Sequence, residues 1–252
     1  MPIELTELVA YLDRFLRVKE VPDAPEALNG LQVANSGTVT RVAAAVDLCE
    51  ASVRLATAER ADLLLVHHGL FWGGPKPLTG PAHRRVAGLF AANIALYSAH
   101  LPLDLHPEVG NNVVLARQLG VTVCGEFGEE YGVPIGVWGE LDAPRAALEQ
   151  ALRTVLGVQA RVMPFGPERV RRVGVVTGGA GSMIAQAAAA GLDTYVTGEG
   201  AHHTFFDAEE LGLNVFYAGH YATETVGVKA LAAHLAAQFG LPWTFLHHPT
   251  GL

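Results

Sequence analysis

Ala61-Asp62-Leu63-Leu64-Leu65-Val66-His67-His68 is the stretch on which the reading of this chain turns. A short apolar run of this kind fits a strand buried on both faces. Two histidines at its end matter because ligands collect beyond the carboxyl ends of strands in open α/β sheets. The pattern repeats. Residues 41–47 form an apolar strand upstream, and residues 93–98 run into His100 and Asp104. A second copy follows: residues 172–177, then 192–197 running into Glu199, then 214–218 running into His220 and Glu224. Tyr97-Ser98-Ala99-His100 aligns with Tyr217-Ala218-Gly219-His220, and a carboxylate stands four residues after the histidine in each copy. Two such half-sites could meet at a common centre and hold metal.

Helical spacing fills the intervals. Leu5, Leu8, Val9, Leu12, Phe15 and Leu16 mark a helix over 4–17 with Thr6 as its cap, and further helices are expected at 50–59, 82–92 and 108–119. Residues 121–170 differ: they are Gly-rich, with strands expected at 133–141 and 160–165 around a helix at 143–156. Alternation resumes with helices at 182–190, 204–211 and 223–239. Strands alternating with helices of this length imply an α/β fold. The expected architecture is two similar strand–helix halves with mostly parallel, helix-covered sheets. Residues 1–120 would form the first half, 121–170 a small α+β insertion and 171–252 the second half.

The 252 residues, half of them hydrophobic, are ample for one large core or two smaller ones. A net charge of −8 and a pI of about 5.7 leave no bulk basic surface, which argues against nucleic-acid backbone binding. Arg169, Arg171 and Arg172 read as a solvated strand edge. Cys49 and Cys124 are isolated, so neither a Cys-rich zinc site nor a disulfide framework is expected. With no signal-peptide pattern and no apolar run long enough for a membrane span, a cytoplasmic protein is the expectation.

His67, His68, His100, Asp104, Glu199, His220 and Glu224 all fall at strand ends. Imidazole and carboxylate without thiolate suit Zn, Mn, Fe, Ni or Mg. Glu224 has two oxygens and can bridge a pair of cations; two metals about 3.5–4 Å apart can activate a shared water. Successive strand residues point to opposite faces. His67 and His68 would therefore both ligate only if the chain leaves the pleat, a freedom Gly69 would give. Other roles compete. Asp104 could cap the following helix, Glu224 could balance a helix dipole, and Glu199 could be a base, a ligand or a turn acid. His203 suits a role behind the ligands or toward substrate, with His202, His203 or Thr204 as a helix cap. His247-His248 reads as a strand end, and His83, His106 and His234 as surface or boundary histidines. The stretch from Gly178 to Ser182 is either a tight strand–helix turn or an anion-binding loop. It matches neither a Walker loop nor cleanly a dinucleotide fingerprint, and Ser182 lacks the Gly-x-Ser-x-Gly elbow of serine hydrolases.

Several motifs, in order, resemble one family: Asn29-Gly30-Leu31-Gln32-Val33, Val66-His67-His68-Gly69-Leu70-Phe71, Ser98-Ala99-His100 with Leu103-Asp104, Gly178-Gly179-Ala180-Gly181-Ser182, Thr197-Gly198-Glu199 with His203, and Gly219-His220-Tyr221-Ala222-Thr223-Glu224. The chain resembles the Nif-three-like dinuclear-metal family, whose members are labelled GTP cyclohydrolase 1 type 2 homologues. The resemblance implies two divalent cations held by His67, His68, Asp104, His220 and Glu224, with Glu224 bridging. One cation would take His68 and Asp104, the other His67 and His220. It further implies a toroidal homo-hexamer, a small-molecule substrate such as a nucleotide or phosphate, and hydrolysis by metal-activated water, with GTP ring opening as one instance. His100, His203 and Glu199 are then the candidate proton carriers. A non-catalytic regulatory or scaffold hexamer built on the same ligands stays open. The chain departs from the family in having Gly69 where Pro is common, Ala27 and Leu28 where an acid is frequent, and His247-His248-Pro249 near its end.

Overall fold

The run at 63–66 becomes the heart of a buried parallel strand in a computed structural model that describes residues 2–252. Along the chain come β1 (Ile3–Glu4), α1 (Leu5–Phe15), β2 (Gly30–Val33), β3 (Thr38–Val39), β4 (Val42–Asp47), α2 (Glu50–Ala58), β5 (Leu63–His68), α3 (Gly80–Ala91), β6 (Ala95–Ser98) and α4 (Leu101–Asp104). There follow α5 (Asn111–Gln118), β7 (Thr122–Glu130), β8 (Val133–Pro144), α6 (Arg145–Leu156), β9 (Arg161–Pro164), β10 (Arg169–Val175), α7 (Ile184–Ala189), β11 (Thr194–Thr197), α8 (Thr204–Leu211), β12 (Asn214–Tyr217), α9 (His220–Phe239) and β13 (Trp243–Phe245). The chain divides into two compact units. The first comprises the chain up to Val109 with Gly227–His248; the second comprises Gly110–Val226 with Pro249–Leu252.

In the first unit, a five-stranded sheet runs β13-β4-β5-β6-β2. β13, β4, β5 and β6 pair in parallel, and β2 closes one edge antiparallel to β6. Every residue of β5 is buried, as a parallel strand covered on both faces requires. Ala43, Ala45, Leu64 and Leu96 pack with Val53 of α2 and Leu89 of α3 in one cluster. Burying each Leu in this way contributes about 1.5–3 kcal/mol. α1 turns Leu5, Leu8 and Leu12 inward. Its cap position is Glu4 rather than Thr6.

The second unit holds a six-stranded mixed sheet, β7-β8-β10-β11-β12-β9. Its centre, β10, β11 and β12, is parallel; β7, β8 and β9 join antiparallel. Residues 121–170, expected as an insertion between two halves, thus supply strands to both sides of the same sheet as 171–217. Val173, Val175, Val196 and Phe216 of that sheet pack with Leu148 and Leu152 of α6 and Leu115 of α5. The Arg cluster is occupied locally: Arg169 Nε pairs with Asp142 at 2.5 Å, and Arg172 lies over the Trp138 ring at 4.4 Å.

The chain after 171 does not stay in one unit. The boundary falls within α9, and β13 pairs with β4 of the first unit. Most of α9 is buried, as expected of a helix apolar around its circumference. Two histidines expected near the surface are built into the first unit. His106 donates from Nε2 to the Phe15 carbonyl (3.0 Å) and accepts at Nδ1 from Glu108 and Val109 N–H. His234 stacks on Phe15 at 4.1 Å and bonds the Tyr11 hydroxyl at 2.5 Å. Among the described residues, no helix is long and apolar enough to cross a membrane.

Candidate metal centre

The first unit brings together His67, His68, His100 and Asp104. His67 and His68 are the last residues of β5, His100 follows β6, and Asp104 ends the single turn α4. The donor atoms of His67, His68 and His100 lie within 4.8 Å of one another. His67 Nε2 is 3.5 Å from Asp104 Oδ2. Here a sequence expectation is revised. β5 does not leave the pleat before the histidines: His68 still sits in register with Asp47. The two rings nonetheless converge, with centroids 4.7 Å apart. Gly69 serves close packing rather than backbone freedom, since a Cβ there would lie 2.4 Å from Gln32 Oε1 and 2.7 Å from Ser98 Cβ. Nor does Asp104 cap the next helix; α5 begins at Asn111 with Gly110 as its cap residue.

Each imidazole is oriented by an oxygen acceptor. His67 Nδ1 bonds the Ala99 carbonyl at 2.9 Å, His68 Nδ1 bonds Asp47 Oδ1 at 2.8 Å, and His100 Nδ1 bonds Asp23 Oδ1 at 2.8 Å. A carbonyl or carboxylate accepts only, so all three rings carry hydrogen on Nδ1 and present Nε2 as donor atom. This is the arrangement by which proteins fix histidines that ligate metals. Asp23 is itself gripped by Asn29 Nδ2 and the Leu101 N–H. Burial disfavours its charge, but the bonds from His100, Asn29 and Leu101 outweigh this and hold the carboxyl below its usual range.

The second unit carries His220 and Glu224 one helical turn apart on α9, with His220 Nε2 3.1 Å from Glu224 Oε1. α9 starts at His220, three residues earlier than expected, and this puts both side chains on one helical face. His220 repeats the orientation rule: its Nδ1 bonds Glu199 Oε1 at 2.8 Å. Burial opposes a charge on His220, but the bonds to Glu224 and Glu199 prevail and push its pKa up to about 9. The turn at 178–182 is a tight strand–helix connection packed against these side chains. Gly178 has φ +71, its carbonyl accepts the N–H groups of Gly198 and Glu199, and its own N–H donates to Thr223 Oγ1. A Cβ on Gly178 would lie 2.3 Å from Glu224 Oε1.

Other expected residues stand apart. His203 is exposed at the start of α8, and among the described residues it joins no group suited to a cation. His247 and His248 are exposed beyond β13. Sequence reading missed Asp23, Asp47 and the Ala99 carbonyl, and it gave no role to Asn29 or Gln32. Asn29 Oδ1 accepts the His100 N–H at 2.7 Å, and Gln32 Oε1 accepts the Leu70 N–H at 2.7 Å. That pairing explains the Asn29–Gln32 motif: each polar side chain fastens one histidine-bearing loop. Its only signal in the sequence was the motif itself.

Fold and side chains define an α/β protein whose buried His/carboxylate groups can hold a metal ion. A family model described as Duf34/NIF3 (NGG1p interacting factor 3) matches residues 3–250, and the chain belongs to that family. A relative from Deinococcus radiodurans, named GTP cyclohydrolase 1 type 2 homolog, is 46% identical over 248 residues, covering 98% of this chain and 94% of the relative. One of the same name from Archaeoglobus fulgidus is 44% identical over 250 residues, covering 99% and 100%. A crystal structure of a protein from Thermus thermophilus superposes with a TM-score of 0.91 at 48% identity, covering 99% of this chain and 100% of that one.

Proposed function

We propose that His67, His68, Asp104, His220 and Glu224 hold two divalent cations and that the protein is a metal-dependent hydrolase. The observation that carries this reading is a shared orientation: His67, His68, His100 and His220 each have Nδ1 fixed by an oxygen, which makes Nε2 the nitrogen left for a ligand role. The donor chemistry fits borderline and hard divalent ions. When bound, such cations supply a nucleophilic hydroxide at neutral pH and stabilise a developing oxyanion.

The chain's own residues would orient and relay. Asp47, Asp23 and Glu199 hold the ring planes of His68, His100 and His220. His100, fixed by Asp23 and by Asn29 at its backbone, is the proton carrier that the first unit offers, and Glu199 is its counterpart in the second; His203 is a weaker candidate because it is exposed and stands outside the groups. The names of the relatives support GTP ring opening as the reaction, and the resemblance supports a homo-hexamer acting on a small molecule; the net charge of −8 argues against nucleic acid as the partner.

Metal analysis with a GTP turnover assay tests the reading. Wild type should bind close to two equivalents of Mn(II) or Zn(II) and release formate from GTP, and Glu224→Ala should lose both properties. Equal turnover in the two proteins refutes the hydrolase. Stoichiometric metal without turnover on nucleotides or phosphoesters favours the non-catalytic alternative, and light scattering decides the hexamer.

A further inference from the structure

The aromatic side chain that lies against these imidazoles takes no part in the metal-binding scheme. Trp72 is 40% exposed, yet its ring centroid is 4.4 Å from that of His100 and 4.7 Å from that of His68. Single exposed apolar residues are ordinary on a protein surface. Trp72 differs in being built in. The segment leading to it is fastened by Gln32, which accepts the Leu70 N–H at 2.7 Å while its Nε2 donates to the carbonyls of Ala27 and Leu28. Gly69 lies close under Gln32 and Ser98, so a side chain there would displace the Gln32 amide that holds the segment. Turns from Trp72 N–H to the Gly69 carbonyl (3.4 Å) and from Gly74 N–H to the Phe71 carbonyl (2.8 Å) complete the hold.

We infer that Trp72 is the stacking face for a planar heteroaromatic ligand and so sets specificity at the centre; this rests on the metal-dependent reading above. A flat ring laid on the exposed part of the indole would lie against the side chain that itself touches His68 and His100. Indole is the aromatic side chain best suited to this, since it offers a large rigid surface with little rotamer entropy to lose on binding. A ligand without a ring would leave that surface wet and gain nothing from it. Stacking of one base on one aromatic side chain carries about tenfold or more in affinity.

The test compares guanosine 5′-monophosphate with ribose 5-phosphate, which shares the sugar and phosphate but lacks the ring. Calorimetry uses the full-length protein loaded with Mn(II), with Trp72→Ala and Trp72→Phe beside wild type and metal content measured on each. Wild type should prefer the nucleotide by about tenfold or more; Trp72→Ala should erase that preference at unchanged metal content, and Trp72→Phe should keep most of it. Equal affinity of the two probes in wild type, or a preference that survives Trp72→Ala, overturns the inference. If Trp72 merely shields the histidines, Trp72→Ala weakens metal or both probes alike, which also overturns it. Failure of wild type to take up Mn(II) strikes the metal reading instead, and the same two probes on that metal-free protein still decide the role of Trp72.

Discussion

Gly178→Ala separates backbone strain from damage to the proposed metal ligands. Gly178 has φ +71, and an L-residue held there costs about 1–2 kcal/mol. For a chain of this size that strain lowers the melting temperature by about 2–8 °C. The second effect is steric: the new methyl would lie 2.3 Å from Glu224 Oε1 and 3.3 Å from His220 Nε2. Glu224 is 3% exposed, so its carboxylate moves by rotating off the position from which it meets His220. Displacing one such ligand should weaken metal binding about 10–100-fold, the scale seen for groups that orient ligands. Gly191→Ala is the control, because Gly191 has φ +70 and nothing within 4 Å of its would-be Cβ. Without metal, Gly178→Ala should melt below Gly191→Ala because it also disturbs the Glu224–His220 pair, as measured by circular dichroism. Only Gly178→Ala should lose Mn(II) affinity, measured by calorimetry. Equal metal affinity in the two would show that Glu224 does not depend on the gap above Gly178, and the geometric reasoning would fail.

Three further outcomes are expected. Asp47→Ala removes the acceptor of His68 Nδ1 and should reduce Mn(II) affinity about tenfold or more with the melting temperature nearly unchanged; unchanged affinity on titration would count against the orienting role. Because His220 has a pKa of about 9 without metal, coordination through Nε2 must displace a proton, so affinity should rise about tenfold per pH unit from 7 toward 9 and then level off. In the metal-free protein the sign for stability is opposite: the charged His220 contributes fully below its unfolded pKa of about 6.5, and this contribution is lost as pH rises through about 9, as urea titrations of wild type and His220→Ala would show. His106 is held below the ordinary imidazole range, chiefly by burial and despite its bond to the Phe15 carbonyl. Its contribution is present above about pH 6.5 and lost as pH falls. The stability gap between wild type and His106→Gln should therefore shrink from pH 7.5 to 5.5, and a gap that widens refutes this.

The strand ends were legible because burial and chemistry are both local signals. The apolar run at 63–66 fitted a covered strand, and the histidines and acids at the strand ends stood out by type. Helix bounds moved by a few residues, as at Thr6 and at His220. The role of 121–170 was not legible, because β7, β8 and β9 take their places by hydrogen-bonding to strands distant in sequence. The same holds for β13 beside β4.

By itself, the sequence determined an α/β protein with His and carboxylate groups at the ends of its strands, because periodicity and side-chain chemistry are properties of short segments. Only tertiary structure decided which nitrogen each histidine presents. The acceptors that settle it, Asp47 for His68, Asp23 for His100 and the Ala99 carbonyl for His67, lie 21, 77 and 32 residues away along the chain. A hydrogen bond acts over about 3 Å of space and is blind to that separation.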